Sequence, residues 1–217
     1  MYRKNTVLII FSFLIIFALS ACGTKAEIPS TIEQPLLQFP GTEWNMTPEE
    51  VIAALSIQDT ERVENAQTLG EMHISFGVKG REFLGEEAVI LFEFYNSLGV
   101  YDESKSHYGL RQVCVFYPET TDSDALIQQL NEMIGDGVVP AGKDNMIWSS
   151  TAAYSDFLPN GNNSFSLDIP AAHITLHQSF SHYSPQYLLP SDDYGENGIV
   201  LQFYANHHAL LQLEPTQ

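Results

Sequence analysis

The residues best suited to chemistry are the histidines, and five of the seven fall in the C-terminal third: His173, His177, His182, His207 and His208. A neutral imidazole is a common zinc ligand. If the segment were helical, His173 and His177 would share a face at i,i+4 and could hold one ion together. The run His173 to Phe180 (HITLHQSF), however, carries Ile174, Thr175 and Phe180 and lies between Pro170 and Pro185, so a strand is preferred. On a strand, positions four apart share a face but stand about 13 Å from each other, too far to ligate one ion. Partly exposed, scattered histidines are therefore the first reading, and a zinc site built from the five is the alternative. The acidic turn Asp192-Asp193-Tyr194-Gly195-Glu196-Asn197-Gly198 clusters oxygens that suit Ca²⁺. It lacks the alternate ligands and terminal Glu of an EF-hand loop, and a solvated hairpin turn explains it as well.

Nucleophilic and acid–base chemistry find less support. The chain has no Gly-x-Ser-x-Gly, Ser-x-x-Lys, Cys-His arrangement, His-Glu-x-x-His or Gly-rich phosphate loop. Carboxylate pairs such as Glu86-Glu87 occur among 27 acidic residues, too many for spacing alone to single out a catalytic pair. No enzymatic activity is expected. Aromatic residues cluster in several strand-like runs and belong to the core; Tyr183 and Tyr187, whose surroundings read as loop, are the candidates for contact with a peptide or glycan.

The elements that must position these residues alternate between short helices and strands. Thr47 is a helix N-cap, Pro48 takes the first helical position, and Glu50 completes a capping box. Met46 and Val51 are spaced for a hydrophobic staple, and Val51, Ala54 and Leu55 continue the apolar face, so a helix is predicted over 47–57. Strands are predicted at Met72–Val78, Ala88–Tyr95 (AVILFEFY, apolar enough to be central) and Leu110–Tyr117. Turns at Lys79–Glu87 and Asn96–Gly109 would link them as an antiparallel meander. A second helix opens at Thr121-Asp122-Ser123-Asp124, shows Leu126, Ile127, Leu130, Met133 and Ile134 on one face, and stops at Gly135. Further strands are predicted at Met146–Ser150, Ser164–Ile169, His173–Phe180, Ile199–Tyr204 and Ala209–Leu213. The fold class is α+β: two short helices packed on antiparallel sheet. A helix-plus-meander unit used twice, over 41–118 and 119–217, fits this order, although the halves share no sequence repeat.

The N-terminus carries an address. Arg3 and Lys4 precede the apolar run Val7 to Leu19, then Ser20, Ala21 and Cys22, the layout of a secretory signal. At about 1.5 Å per residue the run reaches roughly 20 Å, short of the roughly 30 Å hydrocarbon core. Leu19-Ser20-Ala21-Cys22 resembles the bacterial lipobox. That resemblance implies a covalent diacylglycerol on Cys22, cleavage after residue 21, and anchoring to the cell membrane or outer membrane with the domain on the extracytoplasmic side. Two acyl chains make a stable anchor where one does not. Residues 22–40, with three prolines, read as a tether of roughly 60 Å at full extension, with Leu36, Leu37 and Phe39 available to pack. Residues 41–217 form a single domain. With Cys22 lipidated, Cys114 has no disulfide partner; amid Val113 and Val115 it reads as a small buried hydrophobe.

The mature chain keeps seven basic residues against 27 acidic ones, net −20. Such a field excludes nucleic acid as a partner and repels anionic lipid headgroups. It could draw cationic partners or divalent ions, and it also keeps an extracytoplasmic protein soluble. The segment Trp44 to Leu55 resembles the Met-Thr-x-x-x-Val opening helix of small envelope lipoproteins of the BamE and beta-lactamase-inhibitor-like type, with Asn45 in place of their usual glycine. That resemblance implies helices on an antiparallel sheet and a protein partner. The expectation is a non-enzymatic, membrane-anchored protein that binds an envelope protein or component, with solute or metal binding through the histidine-rich region as the alternative.

Overall fold

The computed structural model describes residues 28–29, 31–34, 36–63, 73–96, 107–152, 170–178 and 198–206. Among these, two helices and seven strands form a mixed α+β fold dominated by one antiparallel sheet. None of the described helices is long and apolar enough to cross a membrane.

Helix α1 (Pro48–Ala54) starts where the capping box requires. The Thr47 hydroxyl accepts from the Glu50 N–H at 3.2 Å, and the Glu50 carboxylate accepts from the Thr47 N–H at 2.8 Å. The helix stops three residues before the expected 57, because Leu55 caps it and Ser56 turns to φ +50°. Asn45 has φ +74°. Asn tolerates the left-handed region better than other side-chain-bearing residues. This bend lets Asn45 donate to the Leu110 carbonyl and lets the Met46 carbonyl accept from Leu110.

After the short β1 (Arg62–Val63) come β2 (His73–Phe83), β3 (Glu86–Asn96) and β4 (Tyr108–Tyr117), an antiparallel meander. The expected turn at Lys79–Glu87 is only Leu84-Gly85. Gly80 at φ +67° sits in a bulge between Val78 and Arg81, so β2 continues past the polar stretch to a buried Phe83. Leu84 (φ +54°) and Gly85 (φ +80°) then close a two-residue hairpin with both central residues left-handed, the geometry that matches strand twist.

Helix α2 (Ser123–Ile134) is capped by Asp122, whose carboxylate accepts from the Asp124 and Ala125 N–H groups, and ends at Gly135 with φ +93°. Leu126 and Leu130 are buried in the same apolar cluster as Trp148, Ile174, Leu201 and Phe203. The Asn131 side-chain amide oxygen, Oδ1, accepts from the Trp148 indole N–H at 3.0 Å. The chain then passes to β5 (Met146–Ser149) at the far edge and returns through β6 (Ala172–His177) and β7 (Ile199–Ala205). The sheet order is β1-β2-β3-β4-β7-β6-β5. The expected strands at 164–169 and 209–213 lie outside the described residues.

Alternation divides the sheet into two faces. Ile90, Phe92, Phe94, Val113, Val115, Leu201, Phe203, Ile174 and Leu176 belong to the main core. Ile28, Ile32, Leu37 and Phe39 are buried in that same core, so packing begins within the stretch expected to be tether. Phe39 contacts Phe83, Phe92 and Phe203 at ring-centroid distances of 5.1, 5.7 and 5.3 Å. On the opposite face Val89, Leu91, Cys114, Phe116 and Val200 form a smaller buried cluster, which explains why β3 and β4 read as apolar without a break.

Candidate functional site

Beside that smaller cluster the second face turns polar. Strand register aligns Ser75 (β2), Glu93 (β3), Gln112 (β4), Tyr204 (β7), His173 (β6) and Ser149 (β5). His73 and Tyr95 pair one step further along β2 and β3. Four strand spacings of about 4.8 Å separate β2 from β6, so the band is about 19 Å wide. A bulge between Glu93 and Phe94 makes room for one extra residue on β4, which brings Gln112 opposite Glu93.

Glu93 is the unusual member, a carboxylate that is 92 % buried in a central strand. Its Oε1 lies 3.4 Å from Nε2 of His73, and among the described residues neither that Nε2 nor the Glu93 Oε2, both buried, makes a hydrogen bond. Removing a carboxylate from water is costly unless it is paired and hydrogen-bonded. Tyr95 stacks on His73 with centroids 4.3 Å apart and planes 9° from parallel, which fixes the imidazole beside Glu93. Burial and the Glu93 charge, followed by Tyr204 and Cys114, push the Tyr95 phenol above its ordinary range. At the other end, His173 leans on Tyr204 at 5.1 Å, and burial pulls its pKa below the usual imidazole value. Two His–Tyr pairs thus bracket Glu93 and Gln112.

Cys114 lies beneath this band, fully buried and without a disulfide. The Gln112 amide donates to its Sγ at 3.3 Å. Burial and the nearby Glu93 charge raise the thiol pKa well above its usual value, which suppresses the thiolate a nucleophile needs. What remains is a row of half-buried donors, acceptors and rings around one carboxylate, an arrangement suited to holding a ligand.

His173 and His177 lie on β6, half-buried, and share the band's face as a strand requires. Among the described residues no group of three His, Cys, Asp or Glu side chains could hold a metal ion. Cys22, Tyr183, Tyr187, His182, His207, His208 and the turn 192–197 lie outside the described residues. Glu93 was not singled out by sequence reasoning, though a signal existed: it is the one acid inside AVILFEFY. Comparison with family models, curated proteins and solved structures finds no match to this chain.

Proposed function

We propose that this protein is a lipid-anchored, extracytoplasmic, non-enzymatic binding protein whose ligand face is the band from His73 to His173. The observation that carries this reading is the register that gathers His73, Tyr95, Glu93, Gln112, Tyr204 and His173 in one band, an uncommon set of polar and aromatic side chains for the middle of an apolar sheet. The lipobox-like Leu19-Ser20-Ala21-Cys22 supports the anchor. With packing under way at Ile28, residues 23–27 alone would give a tether of about 17 Å at full extension, so the partner is a component at the membrane surface.

The same reading extends to the architecture. Helices α1 and α2 cover the main-core face and leave the band to the ligand, supported by Val51, Leu126 and Leu130 sharing the core cluster of the strands. The stretch β2-β3-β4-β7-β6-β5 of the sheet, with β4 and β7 meeting at the centre, supports a helix-plus-meander unit used twice.

A photo-crosslinking residue at position 112, in cells, tests the ligand face against the exposed position 129 on α2. Adducts specific to 112 are expected; equal labelling at both positions, or none at 112, refutes the reading. Cys22→Ser is expected to move the protein from the membrane to the soluble fraction, and retention at the membrane would refute the anchor.

A further inference from the structure

The place where the chain enters the domain limits which end of the domain can stand on a membrane. Ile28 is buried in the main core. Pro29 lies beside Gly41, which is wedged against Leu55: a Cβ added at Gly41 would stand 2.8 Å from Leu55 Cδ2 and 3.4 Å from Pro29 Cδ. The Leu55 and Ser56 carbonyls in turn accept from Arg81 at 3.3 Å. Arg81 pairs with Ala88, just short of the Leu84-Gly85 turn. Entry is therefore at the corner shared by the end of α1 and the β2–β3 hairpin.

Length then separates the two ends of the sheet. Residues 23–27 reach at most about 17 Å. From the level of Ala88 the hairpin tip at Gly85 is about 10 Å away along the strand, whereas Asn96, at the opposite end of β3, is about 26 Å away. A domain standing on its Asn96 end would lift residue 28 beyond the reach of a membrane-bound Cys22; one standing on the hairpin end would not. The entry corner exposes four carboxylates, Asp59, Glu82, Glu86 and Glu87, against the two cations Arg62 and Lys79 alongside. The exposed large hydrophobic residues of the described chain, Val138 and Val139, lie elsewhere, beside β5. Carboxylates are costly to place in hydrocarbon, so this corner meets headgroups without inserting, and anionic headgroups repel it.

Resting on the lipid anchor at Cys22, we propose that the corner formed by residues 55–59 and the β2–β3 hairpin is the surface that faces the bilayer headgroups, and that the Asn96 end is held away from them. The processed, lipidated chain carrying Glu86→Cys or Thr151→Cys is labelled with a fluorescent maleimide and reconstituted in phosphatidylcholine vesicles containing a headgroup-spin-labelled lipid. Cys114 is buried and stays unlabelled. Thr151 is exposed and lies two residues beyond Ser149, whose register through β6, β7 and β4 reaches Glu93, so it marks the end opposite the hairpin. Quenching at position 86 is expected to exceed that at 151 at least threefold. A Gly-Ser insert of about twenty residues after Gly23, a coil spanning about 25 Å, should bring the two positions together. Adding phosphatidylglycerol should lower quenching at 86 without releasing the protein.

Equal quenching at both positions on the native tether, or stronger quenching at 151, overturns the orientation. Glu87→Cys and Ser149→Cys, at neighbouring exposed positions, repeat the comparison, so a defect in one labelled chain cannot excuse the result. A preference for 86 that survives the longer tether makes adhesion, rather than reach, its cause and overturns the tether argument. Quenching at 86 that is unchanged by phosphatidylglycerol overturns the repulsion of the acidic corner. Flotation of the vesicles reads the anchor separately. Protein that fails to float overturns the anchor and the orientation with it, whereas protein that floats with the wrong quenching pattern overturns the orientation alone.

Discussion

Phe39 decides where the tether ends and the domain begins. Its ring is fully buried and meets Phe83 on β2, Phe92 on β3 and Phe203 on β7. Phe39→Ala removes the hub of that cluster. Its three neighbours are fixed to one hydrogen-bonded sheet, so they cannot collapse into the space. Phe→Ala in a core costs about 3–5 kcal/mol, and the immobile surroundings place this case near the upper end, about 4–5 kcal/mol. With an m-value of about 2 kcal/mol per molar urea, the unfolding midpoint should fall by about 2 M. Against a total stability of about 5–15 kcal/mol, that is a large fraction. The assay is equilibrium urea unfolding of the full chain in a Cys22→Ser background, with exposed Glu33→Ala as the local control, expected within about 0.5 kcal/mol. A loss below about 1.5 kcal/mol for Phe39→Ala would refute the packing argument. The same holds if removing residues 23–40 leaves the midpoint unchanged.

Arg81 donates to Glu61 at 2.8 Å and to the Leu55 and Ser56 carbonyls at 3.3 Å, the first two away from solvent and the last part-buried. Arg81→Met should cost about 3–5 kcal/mol in the same assay, and adding Glu61→Leu should recover part of it; strict additivity would count against a buried pair. Cys114 should resist maleimide at pH 8 in the folded Cys22→Ser protein and react once unfolded, and fast native labelling would contradict its burial. Burial holds the His173 pKa below 6.5, so as pH falls through about 6.5 the unfolded chain takes up a proton that the folded chain refuses. Stability should therefore drop until pH passes the lower folded value. His173→Gln should flatten that slope between pH 7 and 5, and identical slopes would refute the assignment. Glu93→Gln keeps the side chain's shape while removing a buried charge and should stabilise by about 0.5–2 kcal/mol at pH 8; a loss above 1 kcal/mol would show that Glu93 is satisfied within the fold.

The parts of this fold that a reader of the sequence could see are those decided within a few residues. The Thr47–Glu50 capping box sets the start of α1, and the apolar run in β3 marks a strand buried on both faces, because each depends on neighbours in sequence. The Leu84-Gly85 hairpin escaped for a related reason. Turn chemistry flags Gly, Asn and Asp, and a leucine at φ +54° is held there by burial of its side chain, a tertiary effect that overrides local preference. The packing of Ile28, Ile32, Leu37 and Phe39 was hidden because prolines and missing periodicity mark a segment as irregular without saying whether it is buried. The band was hidden most completely. Its members run from residue 73 to residue 204 and meet only through the return of β7 onto β4, a long-range pairing that no spacing in the chain encodes.

Register also explains why Glu93 stands apart from the exposed acids among the chain's 27. Glu61, the other buried acid of the described residues, is paired with Arg81 at 2.8 Å. Glu93 faces the same side as Val89 and Leu91, opposite Ser75 and Gln112, where alternation would accept any apolar residue of similar volume and where such a residue would improve packing. A strand that interrupts its own apolar pattern at a buried position gives up stability there, and sequence positions that break a local rule without a structural gain are the ones to connect with function. His73, fixed by its stack on Tyr95, stands 3.4 Å from one carboxylate oxygen without a hydrogen bond to it. Among the described residues the other oxygen is buried and makes no hydrogen bond either, so Glu93 keeps its place in the sheet at a cost in stability.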